Sequence, residues 1–120
     1  MKRILIIEDN AANLYLVSFI LRNDGHEVLE ARTGEEGVAV ALNEKPDLIL
    51  MDIQLPGIDG LEATRRIRES VPYDAIPVVA LTSYAMTGDR EKALEAGCNG
   101  YIEKPLNPDT FTAEINEYLQ

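Results

Sequence analysis

Two hydrophobic periods alternate along the chain. Near-continuous apolar runs, Ile4-Leu5-Ile6-Ile7, Leu48-Ile49-Leu50-Met51 and Val78-Val79-Ala80-Leu81, are separated by stretches with helical spacing. This pattern predicts strands over 3–7, 27–31, 47–51, 77–81 and 99–102, and helices over 11–23, 35–43, 59–69, 86–96 and 108–119. Strands that are apolar throughout are those whose two faces are both covered by helices, and the first, third and fourth have that character. The second, Glu27-Val28-Leu29-Glu30-Ala31, is more polar and belongs at an edge.

Helix punctuation agrees. Thr33 stands three residues before Glu36, the capping-box spacing. Asn107-Pro108 supplies an N-cap and then a proline where a missing N–H does no harm. Gly25 and Gly97 follow helical stretches and suit the left-handed residue after a helix end. Five alternating units imply an α/β fold with a five-stranded parallel sheet and right-handed crossovers. The flavodoxin-like (βα)5 order 2-1-3-4-5, with helices on both faces, would set the first and third strands side by side at the switch point. The whole of 1–120 is read as one domain, and the first strand's immediate start favours a stand-alone protein with no output domain.

Composition narrows the function classes. A formal net charge of -10 opposes direct nucleic-acid binding. The densest basic cluster, Arg65, Arg66 and Arg68, reads as a solvated helix face. The single cysteine, Cys98, can form no disulfide within the chain, reads as a small buried hydrophobe, and suits a reducing cytosol. No apolar run has the length of a membrane span and no signal peptide precedes Met1-Lys2-Arg3, so a cytoplasmic protein is expected. His26, after Gly25, reads as a surface turn residue.

The reactive groups sit where strands stop. Asp52 ends the third apolar run and is followed by the Pro/Gly-rich turn Gln54-Leu55-Pro56-Gly57. Glu8 and Asp9 follow the first run, Thr82 follows the fourth, and Lys104 lies just past the fifth. In open α/β sheets, ligands bind beyond the carboxyl ends of the strands. Three carboxylates gathered there would repel one another by about 3 kcal/mol per pair at a spacing near 5 Å and an effective dielectric near 20. A hard divalent cation removes that repulsion, and magnesium, with manganese as a substitute, takes such oxygen ligands. Asp52 is the candidate nucleophile, since a carboxylate can accept a phosphoryl group as an acyl phosphate. Phosphoryl transfer is helped chiefly by positioning and charge neutralisation; Lys104 would supply charge and Thr82 a hydroxyl donor. A cis Lys104-Pro105 bond would aim the lysine inward, but on the dipeptide alone an ordinary trans turn is the commoner outcome.

Together, Glu8-Asp9-Asn10, Met51-Asp52-Ile53-Gln54-Leu55-Pro56-Gly57-Ile58-Asp59-Gly60, Leu81-Thr82-Ser83 and Lys104-Pro105 resemble the motifs of two-component response-regulator receiver domains. The likeness covers essentially the whole chain and is greatest to stand-alone regulators of the DivK and CheY type and to receivers of hybrid kinases. The resemblance implies that a histidine kinase or histidine phosphotransferase donates a phosphoryl group to Asp52 with magnesium bound. It implies metal contacts from Asp9, Asp52 and the main-chain carbonyl of Gln54, with Glu8 acting through water. It makes Thr82 the switch hydroxyl, Tyr101 the aromatic switch and Lys104 the phosphate partner. The fourth helix, fifth strand and fifth helix would then signal to a downstream protein target. Such a chain phosphorylates and dephosphorylates itself without being a turnover enzyme. Gln54 and Tyr84 would flank the site and tune water access. The acid pair is Glu-Asp where many members have Asp-Asp.

The first helix offers a docking surface. Residues 14–21 read Leu-Tyr-Leu-Val-Ser-Phe-Ile-Leu. With Asn13, Leu16, Val17 and Ile20 inward, Ala11, Tyr15, Ser18 and Arg22 would face outward, flanked by Leu14 and Phe19. That exposes apolar area beside the site, where a phosphohistidine must approach. Three rival readings fare worse. A magnesium-dependent aspartyl phosphatase would carry a general acid two residues after its nucleophile, where Gln54 stands. A flavodoxin-like cofactor carrier would need a phosphate loop in place of Glu8-Asp9-Asn10. A phosphorylation-independent interaction module of the same fold would not need the acid pair, acceptor, hydroxyl and lysine together.

Overall fold

The structure, a computed structural model, describes residues 2–72, 74–82, 89–104 and 106–119. Its strands are β1 (Arg3–Ile7), β2 (Glu27–Ala31), β3 (Leu48–Asp52), β4 (Val78–Thr82) and β5 (Gly100–Glu103). Its helices are α1 (Ala11–Asn23), α2 (Gly34–Glu44), α3 (Gly60–Arg68), α4 (Asp89–Ala96) and α5 (Pro108–Tyr118). The spans read from the sequence hold for β1, β2 and α1 and shift by one residue elsewhere, except at α4, where residues 86–88 lie outside the described residues. The shift matters for the site. Asp52 and Thr82, expected just beyond their strands, are the last residues of β3 and β4, paired in the ladder and therefore fixed by it.

All strand pairs are parallel, in the order β2-β1-β3-β4-β5. Residues of β3 and β4 are buried throughout, and β2, at the edge, is partly open. The two-residue strand period divides the core between the sheet's faces. Leu5, Ile7, Ile49, Met51, Val78 and Ala80 pack with Ala41, Ala63, Ile67 and Ala93 from α2, α3 and α4. Ile4, Ile6, Leu48, Leu50, Val79 and Leu81 pack with Leu14, Val17, Leu21, Phe111 and Ile115 from α1 and α5. Among the described residues, no helix is long and apolar enough to cross a membrane.

The caps form as the sequence indicates, with one variation. The Thr33 side chain accepts from Glu36 N, but the returning Glu36 carboxylate accepts from Arg32 N at 2.8 Å rather than from the cap residue. Asn107 caps α5 by accepting from Asp109 N, and Gly25 and Gly97 adopt φ of 89° and 112°.

Three sequence expectations need correction. The α1 helix is rotated from the expected phase: Leu14, Val17, Ser18 and Leu21 are buried, while Leu16 is exposed beside Tyr15 and Phe19. Ser18 is accepted inside because its hydroxyl donates to Glu30 Oε2 at 2.8 Å. His26 is not a surface side chain; it is only 9% exposed, with Nε2 3.3 Å from Asp24 Oδ2 and also facing Asn116 Oδ1 on α5. Arg65 and Arg66 do lie on a solvated face, paired with Glu62, but Arg68 folds back. Its guanidinium donates to Gly97 O at 2.9 Å, Pro72 O at 3.2 Å and Asn99 Oδ1 at 2.6 Å, tying the end of α3 to the turn before β5.

Candidate functional site

Parallel pairing brings the carboxyl ends of β1, β3, β4 and β5 to one edge of the sheet. Ile7 pairs with Met51, Asp52 with Leu81, and Thr82 with Glu103. Beyond β1, Glu8 N donates to Ala31 O at 3.0 Å, and Asn10 caps α1. Beyond β3, the chain returns at once into α3, and Gly60 N donates to Ile53 O at 2.9 Å. A Cβ at Gly60 would collide with the main chain of Asp52 and Ile53, so only glycine lets α3 approach the end of β3 this closely. Beyond β5, Lys104 N donates to Thr82 O at 2.7 Å, which sets the lysine stem over the sheet edge.

The side chains converge accordingly. Lys104 Nζ donates to Glu8 Oε1 at 2.8 Å and lies 3.6 Å from Asp52 Oδ2. Asp52 Oδ1 accepts from Gln54 N at 3.1 Å, and Glu8 Oε2 accepts from Asn10 N at 3.3 Å. Glu8 and Asp52 are 1% and 4% exposed. Asp9 is the most open of the three acids, and one carboxylate oxygen from each of Glu8, Asp9 and Asp52 lies within 4.8 Å of the others.

Electrostatics follow from this crowding. Burial, then the hydrogen bond and charge of Glu8, push the Asp52 carboxyl up to about 7, against the opposing pull of Lys104. Burial also works against the Glu8 charge, but its bonds to Asp52 and Lys104 outweigh that and hold it below the ordinary carboxylate range. The two acids thus retain a proton that separated carboxylates would lose. Three hard oxygen donors, balanced by one ammonium, fit a divalent cation of the magnesium or manganese kind.

Of the residues singled out by sequence, Glu8, Asp9, Asp52 and Lys104 come together. Thr82 is buried at the end of β4, one residue past the strand partner of Asp52. Gln54 meets Asp52 through its main chain while the residue as a whole is exposed. Tyr101 is half-buried on β5, packed on the face covered by α2, α3 and α4. Ser83, Tyr84 and Pro105, and with Pro105 the question of a cis bond, lie outside the described residues. Sequence reasoning missed Arg32, whose guanidinium donates to the main-chain carbonyl of Asp9 at 3.0 Å. No local pattern marks it, because the contact exists only once β2 lies against β1.

A second feature adjoins the site. Tyr15 and Phe19 are 73% and 57% exposed, with ring centroids 6.4 Å apart on the outer side of α1. A cavity of about 110 Å³, lined by Asn13, Leu16, Val17, Lys104 and Leu106, lies between that helix and the chain leaving β5.

Comparison with known proteins agrees with this geometry. A family model for the response regulator receiver domain matches residues 4–116. The chain is 41% identical over 118 residues to the polar-differentiation response regulator DivK of Brucella anthropi, covering 98% of this chain and 96% of that protein. Its fold matches a CheY-like response regulator receiver domain protein from Methanospirillum hungatei, with TM-score 0.91, 37% identity and coverage of 99% and 94% of the two chains. It also matches the receiver domain of a sensor histidine kinase from Pseudomonas aeruginosa PAO1, with TM-score 0.90, 36% identity and coverage of 98% and 97%. That crystal structure has a magnesium ion coordinated in its active-site cleft.

Proposed function

The chain belongs to the response regulator receiver domains of two-component signalling and is DivK-like along nearly its whole length, and from that premise we propose that Asp52 is its phosphoryl acceptor. The observation that carries this reading is the ammonium of Lys104 held between Glu8 and Asp52 at the open edge of the sheet.

In the transfer, a carboxylate oxygen of Asp52 forms a bond to phosphorus as the bond from phosphorus to the donor's imidazole nitrogen breaks. The departing nitrogen keeps the electron pair. Gln54 N–H, already bonded to Oδ1, fixes the orientation of the acceptor carboxylate. Lys104 is donating to Glu8 and has further N–H groups, so a small swing of its ammonium would place charge on a phosphoryl oxygen. Thr82 would donate its hydroxyl to another. Asp9, Asp52 and the Gln54 main-chain carbonyl would hold magnesium or manganese, with Glu8 acting through water. The chemistry supplied by the bound cation is charge neutralisation, of the carboxylates and of the transferred group. The chain acts as a phosphoacceptor and not as a turnover enzyme.

The donor is a histidine kinase or histidine phosphotransferase. The exposed Tyr15, Leu16 and Phe19, with the small cavity beside Lys104, support a docking face for the protein that carries the phosphohistidine. The downstream target is a protein that reads α4, β5 and α5, with Thr82 and Tyr101 as the coupling residues. Incubation with magnesium and acetyl phosphate should add one phosphate by intact mass, and Asp52→Asn should abolish it. Equal phosphorylation of that variant would overturn the assignment.

A further inference from the structure

We propose that Arg32 is a positioning residue that holds Asp9 in place as a metal ligand; this rests on the metal-site reading above. The three acids of the cluster are not anchored alike. Glu8 is held by Lys104 and by Asn10 N–H. Asp52 is held by Gln54 N–H and faces both Lys104 and Glu8. Among the described residues no hydrogen bond or ion pair reaches the Asp9 carboxylate. Its oxygens are therefore aimed by the main chain alone.

That main chain is a three-residue connection between β1 and α1. One end is fixed where Glu8 N donates to Ala31 O, and the other where Asn10 caps the helix. The peptide between them is gripped by Arg32, whose terminal N–H donates to Asp9 O at 3.0 Å. Arg32 is itself well seated. It follows the last residue of β2, precedes the N-cap Thr33, and its own main-chain N–H donates to Glu36 Oε1 at 2.8 Å. The guanidinium bonds the carbonyl and not the carboxylate, so the acid's oxygens stay open to a cation while the peptide bearing them is held.

The sign of the effect separates positioning from simple charge. A cation near a metal site opposes divalent binding, so if Arg32 acted only through its charge, removing it would tighten magnesium binding. If it positions Asp9, removing it weakens binding despite the lost repulsion. Residues that orient a ligand from behind typically change metal affinity by 10- to 100-fold; for one solvent-exposed bond to a carbonyl, a loss of about 3- to 10-fold is expected.

Magnesium titrations followed by amide NMR shifts of residues 8–10 and 52–54 would test this in the parent, Arg32→Gln, Arg32→Lys and Asp9→Asn proteins. The expected result is weaker binding in Arg32→Gln, a smaller loss in Arg32→Lys, and the largest loss in Asp9→Asn. Thermal melts in chelator should be close to those of the parent for both Arg32 variants. Should Arg32→Gln unfold, Arg32→Lys decides, because it keeps the charge and one flexible donor, so any loss of affinity there comes from the poorer donor geometry. Equal or tighter magnesium binding in the folded variants, with normal binding in the parent, would overturn the role of Arg32. A parent with no magnesium response would overturn the metal site itself.

Discussion

Replacing Asp52 with asparagine should stabilise the metal-free protein above neutral pH, although it removes the proposed acceptor. Asp52 is nearly buried, and its carboxyl is pushed from an ordinary 3.8 to about 7 by burial and by Glu8. A folded-state value above the unfolded one means that the folded chain binds this proton more tightly. The group's contribution to stability is therefore fully present below about pH 4, declines as pH rises from about 4 to about 7, and is lost above that. Each pH unit in the window is worth about 1.4 kcal/mol, so the ionised carboxylate withholds about 4 kcal/mol from the fold. Glu8 is shifted the opposite way and returns part of this, so the net effect is smaller than that of Asp52 alone. The substituted amide has no such titration and can still donate to Glu8. In a domain of this size each 1 kcal/mol is worth roughly 3–6 °C in Tm, so the gain should be readable as several degrees. Circular dichroism melts in chelator should show Asp52→Asn above the parent at about pH 8, with the gap closing near pH 5. Saturating magnesium should also close it, since a ligand at 100 times its Kd adds about 2.7 kcal/mol to the parent. A variant that melts at or below the parent at alkaline pH in chelator would refute the reasoning.

Thr82→Ala should still take phosphate from acetyl phosphate but show smaller amide shifts over α4, β5 and α5. Full switching from 1:99 to 99:1 needs about 5.5 kcal/mol, and the lost hydroxyl bond would forfeit about 1 kcal/mol of it. Shifts of parental size would remove Thr82 from the switch. Tyr15→Asp should slow phosphotransfer from the cognate phosphohistidine protein severalfold while leaving acetyl phosphate labelling unchanged; equal slowing with both donors would contradict docking on α1. Gly60→Ala should destabilise the fold by about 1–3 kcal/mol through overpacking against Asp52 and Ile53, measured by urea unfolding. It should also slow labelling, and an unaltered labelling rate would show that the contact does not set the acceptor's position.

Much of the architecture was legible because it is written locally. Buried parallel strands announce themselves as apolar runs, and Thr33, Asn107, Gly25 and Gly97 mark helix ends by their own chemistry. Glu8, Asp9, Asp52 and Lys104 were legible as a cluster because each lies at the end of a strand or just after it. The phase of α1 was not. Seven of its residues 14–21 are apolar, so no stripe stands out, and the burial of Ser18 depends on Glu30 from β2. His26 looked exposed because its neighbour is glycine, and what encloses it includes Asn116, 90 residues away. Arg68 reads as the third member of a basic face until Gly97 and Asn99 arrive to accept its hydrogen bonds. In each case the deciding partner is distant in sequence, where local pattern carries no information.

The bond between Lys104 and Glu8 spans 96 residues of chain. It joins a residue just after the first strand to one just after the last, with Asp52 from the central strand between them. The ribosome makes Glu8 well before Lys104, and β1 cannot gain its second neighbour until β3 has been synthesised. The surroundings of Asp52 therefore exist only when the pairings from β1 through β5 have closed, and such long-range closures are slow because their loop entropy is paid first. A nascent, truncated or misfolded copy would expose Asp52 as an ordinary carboxylate, without the ammonium, the neighbouring acids or the orienting amide. Labelling at Asp52, the proposed acceptor, would thus double as a certificate of completed folding: a pathway that counted phosphorylated molecules would be counting only finished ones.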